Sequence, residues 1–335
     1  MSSGPRLLDP GRPGTRRALE VCDLAEASVR DLPVTERHRW LLGVHIDEAR
    51  GWMRERSALA AVDLPLLAHA AIAGDEEPAL PLAAACLLVH LGADLLDNVA
   101  DAELSPRWSA IGAAEASLAA ATYLSALVPA ALDPLERSHP VRVGRVRHEL
   151  IGALLEMSDG QHGDLRLAGE EGATPAAARL VAERKAGAQF RFFGRAGALL
   201  ATDDARVVDC YGELGNCLGA GSQIASDADD LVRPPSRDLL NGKRTLPIAH
   251  ALAALEEREQ RSFGELLDAA GRSGAHHEEV NRVLQLAGSF RYTALVVEVY
   301  RQRALASLTA AGARSPAHEE LLGLVEEMSL LPARR

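Results

Sequence analysis

From about residue 17 onward, apolar and polar positions follow the helical period with few interruptions. The stretch "TERHRWLLGVHIDEARGWM" opens on a Thr cap candidate and repeats apolar residues at spacings of three and four, the mark of a helix with one buried face. The runs "PALPLAAACLLVHLGADLLDNVAD", "WSAIGAAEASLAAATYLSALVPAAL", "RVRHELIGALLEMSDGQHGDLRL", "AAARLVAERKAGAQFRFFGRAGALLA" and "ARVVDCYGELGNCLGAGSQIASDADDL" predict further long helices, joined by short breaks of Gly, Pro, Asp or Thr. "TLPIAHALAALEER", "RSFGELLDAA", "EEVNRVLQLAGSFRYTALVVEVYRQRALASL" and "PAHEELLGLVEEM" continue the pattern. Val, Ile and Tyr rarely fall at alternate positions, as strands would require. Nothing reads as a linker, so residues 17–335 are expected to form one all-α domain, a single large helical bundle. Residues 1–16, "MSSGPRLLDPGRPGTR", are rich in Gly, Pro and Arg and read as a mobile lead-in.

Composition narrows the partners. The 335 residues carry a formal charge of −11, which argues against a nucleic-acid or anionic-membrane partner, since either needs a basic face. Of Cys22, Cys86, Cys210 and Cys217, no pair has the short separation of a zinc or redox motif, so they read as reduced core residues. No uninterrupted apolar run of membrane-spanning length and no signal segment is evident, which predicts a cytoplasmic protein without membrane insertion.

Two helices end in a way that needs a reason. Asp94, Asp97 and Asp101 fall on one helical face, at the C-terminal end of a run whose body from Pro78 to Ala93 holds no charged residue unless His90 is protonated. Like charges repel there, and the helix dipole also disfavours anions at that end, each effect costing roughly a few tenths of a kcal/mol. "GAGSQIASDADDLVRPP" repeats the design: Asp227 and Asp230 share a face with Gln223 and Ser226 beside them, while Asp229 points elsewhere. A hard cation resolves unpaired carboxylates at the mouth of an apolar helix, and Mg²⁺ takes one or two carboxylates together with water and substrate phosphate. A solvated helix terminus explains one such cluster alone; two of them on similarly apolar helices favour the metal.

These residues resemble the trans-isoprenyl diphosphate synthase family and its class I terpene synthase relatives. "HLGADLLDNVAD" is similar to the family's first aspartate-rich motif, with Asp97 and Asp101 at its outer positions and Asn98 replacing the second Asp. "SQIASDADD" resembles the second motif, with Asp227 and Asp230 matching and Ser226 where the first Asp belongs. "DLLNGKRTLP" matches the segment downstream, and "GQHGDL" resembles the family's GQxxDL segment. "ERKAGA" is similar to its lysine-threonine motif, with Ala186 in place of the threonine. The resemblance implies the isoprenoid-synthase bundle around a central cavity, metal binding by Asp97, Asp101, Asp227 and Asp230 with Asp94 and Ser226 as further candidates, and diphosphate contacts from Lys185, Gln223, Lys243 and Arg107. It also implies Mg²⁺, three ions with the diphosphate bound, and a homodimer.

The departures shape the expected reaction. Chain-elongating members hold isopentenyl diphosphate on a basic segment upstream of the first motif and a paired arginine after it. Here the first region reads "LAAVDLP", residues 59–65, and the second leaves only Arg107, with Arg54 and Arg56 as substitutes after a local shift. A second diphosphate without fixed cations lacks compensation for its desolvation. The expected reaction is therefore Mg²⁺-dependent ionisation of an allylic diphosphate followed by cyclisation or by quenching through water or proton loss, as in a terpene synthase. The alternatives are a chain-elongating trans-prenyl diphosphate synthase and a non-catalytic subunit of one. Phe192 and Phe193, two turns beyond Lys185, are candidates for stabilising a cation, against a plain core role. Gly92 and Ala93 stand where the family commonly uses bulky residues to limit chain length, which suggests a deep pocket for a C15 to C20 substrate.

Overall fold

The computed structural model describes residues 13–30, 32–55, 60–169, 173–312 and 315–330. All regular structure among them is helical. The chain folds into two compact units, the first Met1–Glu149, Phe193–Asp209 and Ala313–Leu321, the second Leu150–Phe192, Cys210–Gly312 and Leu322–Arg335. The sequence shows no linker because the division falls inside helices.

In the first unit, α1 (Pro13–Arg30), α2 (Glu36–Glu55), α3 (Ala60–Ala73) and a 3₁₀ turn (Glu77–Ala79) lead into α4 (Leu80–Ala100). Then come α5 (Pro106–Ile111), α6 (Ala113–Thr122), a π turn (Tyr123–Leu127) and α7 (Val128–Ser138). α4 packs against α1, α3, α6 and α7. A helix apolar on all sides can bury itself only by being surrounded, and Leu82, Leu87, Leu88, Leu91 and Leu95 are accordingly buried. Each such side chain contributes about 1.5–3 kcal/mol of transfer free energy. α1 begins at Pro13, inside the stretch expected to be a lead-in, and proline suits a first helical turn because its missing N–H has no partner there anyway. The remainder of that stretch, residues 1–12, lies outside the described residues. Among the described residues, Glu77–Ala100 and Ala113–Ser138 are both long and apolar enough to cross a membrane by length and composition. The first is mostly buried within its unit.

The second unit takes most of α8 (Pro140–Leu167), then α9 (Pro175–Ala182), a π turn (Glu183–Gly187), the start of α10 (Ala188–Ala201) and most of α11 (Ala205–Val232). α12 (Arg237–Leu240), α13 (Leu246–Ala254), α14 (Glu257–Ser273), α15 (His277–Leu286) and α16 (Ser289–Ala311) follow, and α17 (Pro316–Glu327) closes the chain. Leu231, Leu239, Ile248, Leu252, Phe263, Leu267, Val280 and Leu284 form one buried cluster around α13. α14 starts at a capping box of Glu256 and Glu259 and stops at Gly274 in the left-handed conformation.

Glycines bring backbones together at the start of α10. A Cβ on Gly219 of α11 would lie 2.1 Å from the Ala186 carbonyl oxygen, so only glycine permits this approach. Gly219→Val is expected to lower stability in urea unfolding by about 3 kcal/mol or more, or to prevent folding, because backbone cannot move aside. Gly43→Ala, in a helix with nothing within 4 Å of the added carbon, is expected to be neutral or stabilising by about 0.5–1 kcal/mol.

Candidate active-site residues

The first acidic helix end forms in the last two turns of α4. The Asp101 amide donates to the Asp97 carbonyl at 2.9 Å, and the chain then turns until Ser105 caps α5 by accepting from the Trp108 amide. Asp97 and Asp101 are half-buried. Asp94 is engaged differently. Its carboxylate accepts from Asn98 Nδ2 at 2.8 Å and lies 3.3 Å from His45 Nε2. On its other side, His45 Nδ1 is 2.9 Å from Glu48, and Glu48 accepts from the Ser105 hydroxyl at 2.8 Å. Trp52, Trp108 and Tyr123 enclose the imidazole edge-on.

Burial pulls the His45 pKa down, but bonds and charges from Asp94 and Glu48 outweigh it and raise it above 6.5. Burial likewise pushes both carboxylates up, and their partners more than reverse this, leaving Asp94 below 3.8 and Glu48 below 4.5. Asp94, a candidate metal ligand from sequence, also serves the local fold, as the carboxylate that favours the protonated form of the buried His45. Asn98, which replaces a family aspartate, is its second clamp.

The pocket expectation for Gly92 is corrected. A Cβ there would meet Leu124 Cγ at 2.8 Å and Tyr123 Cβ at 3.2 Å, so the room left by the missing side chain is filled by the π turn. Ala93 is half-buried. Phe192 and Phe193 are 2% and 0% exposed, which makes both core rings, since a ring without accessible surface cannot face a passing cation. Arg107 is exposed, and its guanidinium lies 3.8 Å from Asp47. The side chains of Arg54 and Arg56 lie outside the described residues.

In the second unit, charge converges around Asp164 of α8. Its Oδ2 is 2.7 Å from Lys185 Nζ and 4.0 Å from Lys243 Nζ, and Lys243 is also 3.8 Å from Asp238. Asp227 accepts from Gln223 Nε2 at 2.8 Å. Its carboxyl is pushed up to about 6, mainly by burial and also by the charge of Asp164, against the pull of Gln223, Lys243 and Lys185. Such a carboxylate gains from an added cation. Ser226 is exposed. Asp230 accepts from the Ser236 hydroxyl at 2.6 Å and from the amides of Arg237 and Asp238, so it holds the loop into α12.

Sequence reasoning gave Asp164 no role and missed His45 and Gln161. Gln161, one turn before Asp164, buries both ends of its amide without a hydrogen-bond partner. The GQHGDL segment carried that signal, whereas His45 offered only its spacing of three to Glu48.

Among the described residues, no three His, Cys, Asp or Glu side chains gather into a ready metal cage. What fits is a hard ion taking one or two carboxylates, from Asp97 and Asp101 or from Asp227, and completing its shell with water and phosphate oxygen.

The fold is that of the all-α isoprenoid synthases. Polyprenyl synthetase from Streptomyces coelicolor A3(2) matches with a TM-score of 0.77 at 22% identity, over 95% of this chain and 100% of that one. Geranylgeranyl pyrophosphate synthetase from Pyrococcus horikoshii Ot3 gives 0.78 at 22%, over 95% and 98%. Polyprenyl synthase from Caulobacter crescentus CB15, complexed with calcium and isoprenyl diphosphate, gives 0.78 at 20%, over 93% and 94%. The polyprenyl synthetase family model matches residues 59–287, and the chain belongs to that family. A short chain isoprenyl diphosphate synthase from Methanocaldococcus jannaschii is 24% identical over 229 residues, a match spanning 63% of this chain and 66% of that protein.

The role of Asp94 beside His45 has a direct consequence. Asp94→Asn is expected to cost about 1.5–3 kcal/mol of stability in urea unfolding by removing a charged partner from His45. Because the His45 pKa is raised on folding, its stabilisation is complete below the unfolded value of 6.5 and is lost as pH rises through the folded one. Asp94 and Glu48, lowered on folding, stabilise above their unfolded values and lose that effect as pH falls through the folded ones. The stability gap between wild type and His45→Gln is thus expected to shrink as pH rises above about 6.5.

Proposed function

We propose that the protein is a chain-elongating trans-prenyl diphosphate synthase. The observation that carries this reading is the convergence of Lys185 and Lys243 on Asp164 beside Asp227, two cations and a cation-seeking carboxylate in the stretch that matches the family. The M. jannaschii relative and the P. horikoshii structure, both diphosphate synthases by name, favour elongation over the terpene-synthase reaction expected from sequence.

In this reading Lys185 and Lys243 bind the diphosphate of an allylic substrate, with Gln223 orienting Asp227. The allylic C–O bond breaks and its electron pair leaves on the diphosphate. The double bond of isopentenyl diphosphate supplies the pair for the new C–C bond, and a proton is lost to restore a double bond. Asp97 and Asp101 in the first unit, and Asp227 in the second, are carboxylates that would hold Mg²⁺, which would stabilise negative charge on the leaving oxygens.

Ionisation without a co-substrate, followed by cyclisation or quenching, stands as the second reading. It is favoured by residues 59–65, which hold no basic side chain, and by the exposed Arg107 engaged with Asp47. Two copies of the chain are proposed to associate, a reading supported by the exposed Ile151 and Leu155 on α8, 60% and 69% accessible. A solution mass by light scattering of one chain would refute the dimer.

Farnesyl or geranylgeranyl diphosphate with Mg²⁺ and isopentenyl diphosphate is expected to give a longer diphosphate, abolished by EDTA and reduced about 10²–10³-fold in Asp97→Ala. A hydrocarbon or alcohol formed without isopentenyl diphosphate supports the second reading. No diphosphate release from C10, C15 or C20 substrates defeats both and leaves a non-catalytic subunit.

A further inference from the structure

We propose that Asp164 is a positioning residue that holds Lys185 and Lys243 side by side, so that a diphosphate meets two aligned ammonium groups. The inference rests on the diphosphate reading above. Both lysine nitrogens contact the same carboxylate oxygen, at 2.7 and 4.0 Å, and so stand no more than about 7 Å apart. All three side chains are well buried, at 14%, 15% and 18% exposure. Two like charges that close, in surroundings less polar than water, repel unless a negative group lies between them. Asp164 is that group, and Asp238 assists at Lys243.

The backbone fixes this arrangement from both sides. Gly160, four residues before Asp164 and on the same face of α8, abuts the chain at Lys185: a Cβ there would lie 2.7 Å from the Arg184 carbonyl carbon and 2.8 Å from the Lys185 nitrogen. The π turn of Glu183–Gly187 adds a residue at this point and aims Lys185 back at α8. Beyond Asp164, the Gly169 amide donates to the Gly242 carbonyl at 2.9 Å, and the Lys243 amide donates to the Asp238 carbonyl at 2.9 Å. Each lysine is thus tied at its main chain to the helix that carries Asp164 or to its Asp238 neighbour. The carboxylate completes the set by fixing the two side-chain ends.

Steady-state kinetics on the full chain tests this, with Mg²⁺, isopentenyl diphosphate and the allylic diphosphate that wild type accepts. Asp164→Asn is expected to raise KM for the allylic substrate about tenfold, about 1.4 kcal/mol, with kcat changed less than about threefold. Asp164→Glu, which keeps the charge on a longer arm, should raise KM by about threefold. In a Lys185→Ala background the Asn substitution should add less than about threefold, because the residue acts through the lysine. A KM within twofold of wild type in Asp164→Asn, or the same tenfold rise in both backgrounds, overturns the inference while leaving the proposed function intact. If Asp164→Asn does not fold, Asp164→Glu decides alone, and an unchanged KM overturns the inference. A wild type that turns over no allylic diphosphate defeats the functional reading and the inference with it.

Discussion

Charge in poorly solvated surroundings has to be matched, and both units of this protein are organised around that constraint. In the first, the His45 imidazole, buried among three aromatic rings, lies between Asp94 and Glu48, which favour its protonated form. In the second, Asp164 is matched by Lys185 and Lys243, while the charge of Asp227 is disfavoured. The difference is functional in its consequences. A matched group is structure, and it resists change because removing one partner strands the other. A group whose charge is disfavoured is available to a ligand that brings the missing charge.

That distinction separates aspartates that the sequence presents as equivalent. Asp94 accepts from Asn98, and Asp230 from Ser236 and two backbone amides, bonds that hold the local fold. Asp227 differs in that its charge is disfavoured, which suits it to a hard cation. The two helices thus resemble each other in composition, and each assigns one of its acids to holding the local fold.

The helices themselves were legible from periodicity, and α4 stood out because a run without charge has to be surrounded. Lys185 and Lys243 were readable from their motifs. What could not be read is whatever depends on contacts distant along the chain. His45 meets Asp94 across 49 positions, the π turn fills the space beside Gly92, and Gly219 abuts Ala186. Small residues show that something approaches closely, but not what approaches, which is why Gly92 suggested a cavity and marks a packing contact instead. Phe192 and Phe193 misled in the same way, since clustering in sequence carries no information about which surface a ring faces. The division into two units was hidden because it crosses helices.

The central claim is that Asp227, a half-buried acid whose charge is disfavoured, takes up divalent cations together with a diphosphate. Thermal unfolding of the full chain in Mg²⁺ alone, in inorganic pyrophosphate alone and in both together tests it most directly, since a ligand that binds only the folded state raises the midpoint. The account predicts a rise of several degrees only when both are present, lost in Asp227→Ala. An identical midpoint in all three conditions, or a rise that survives that substitution in full, would contradict it.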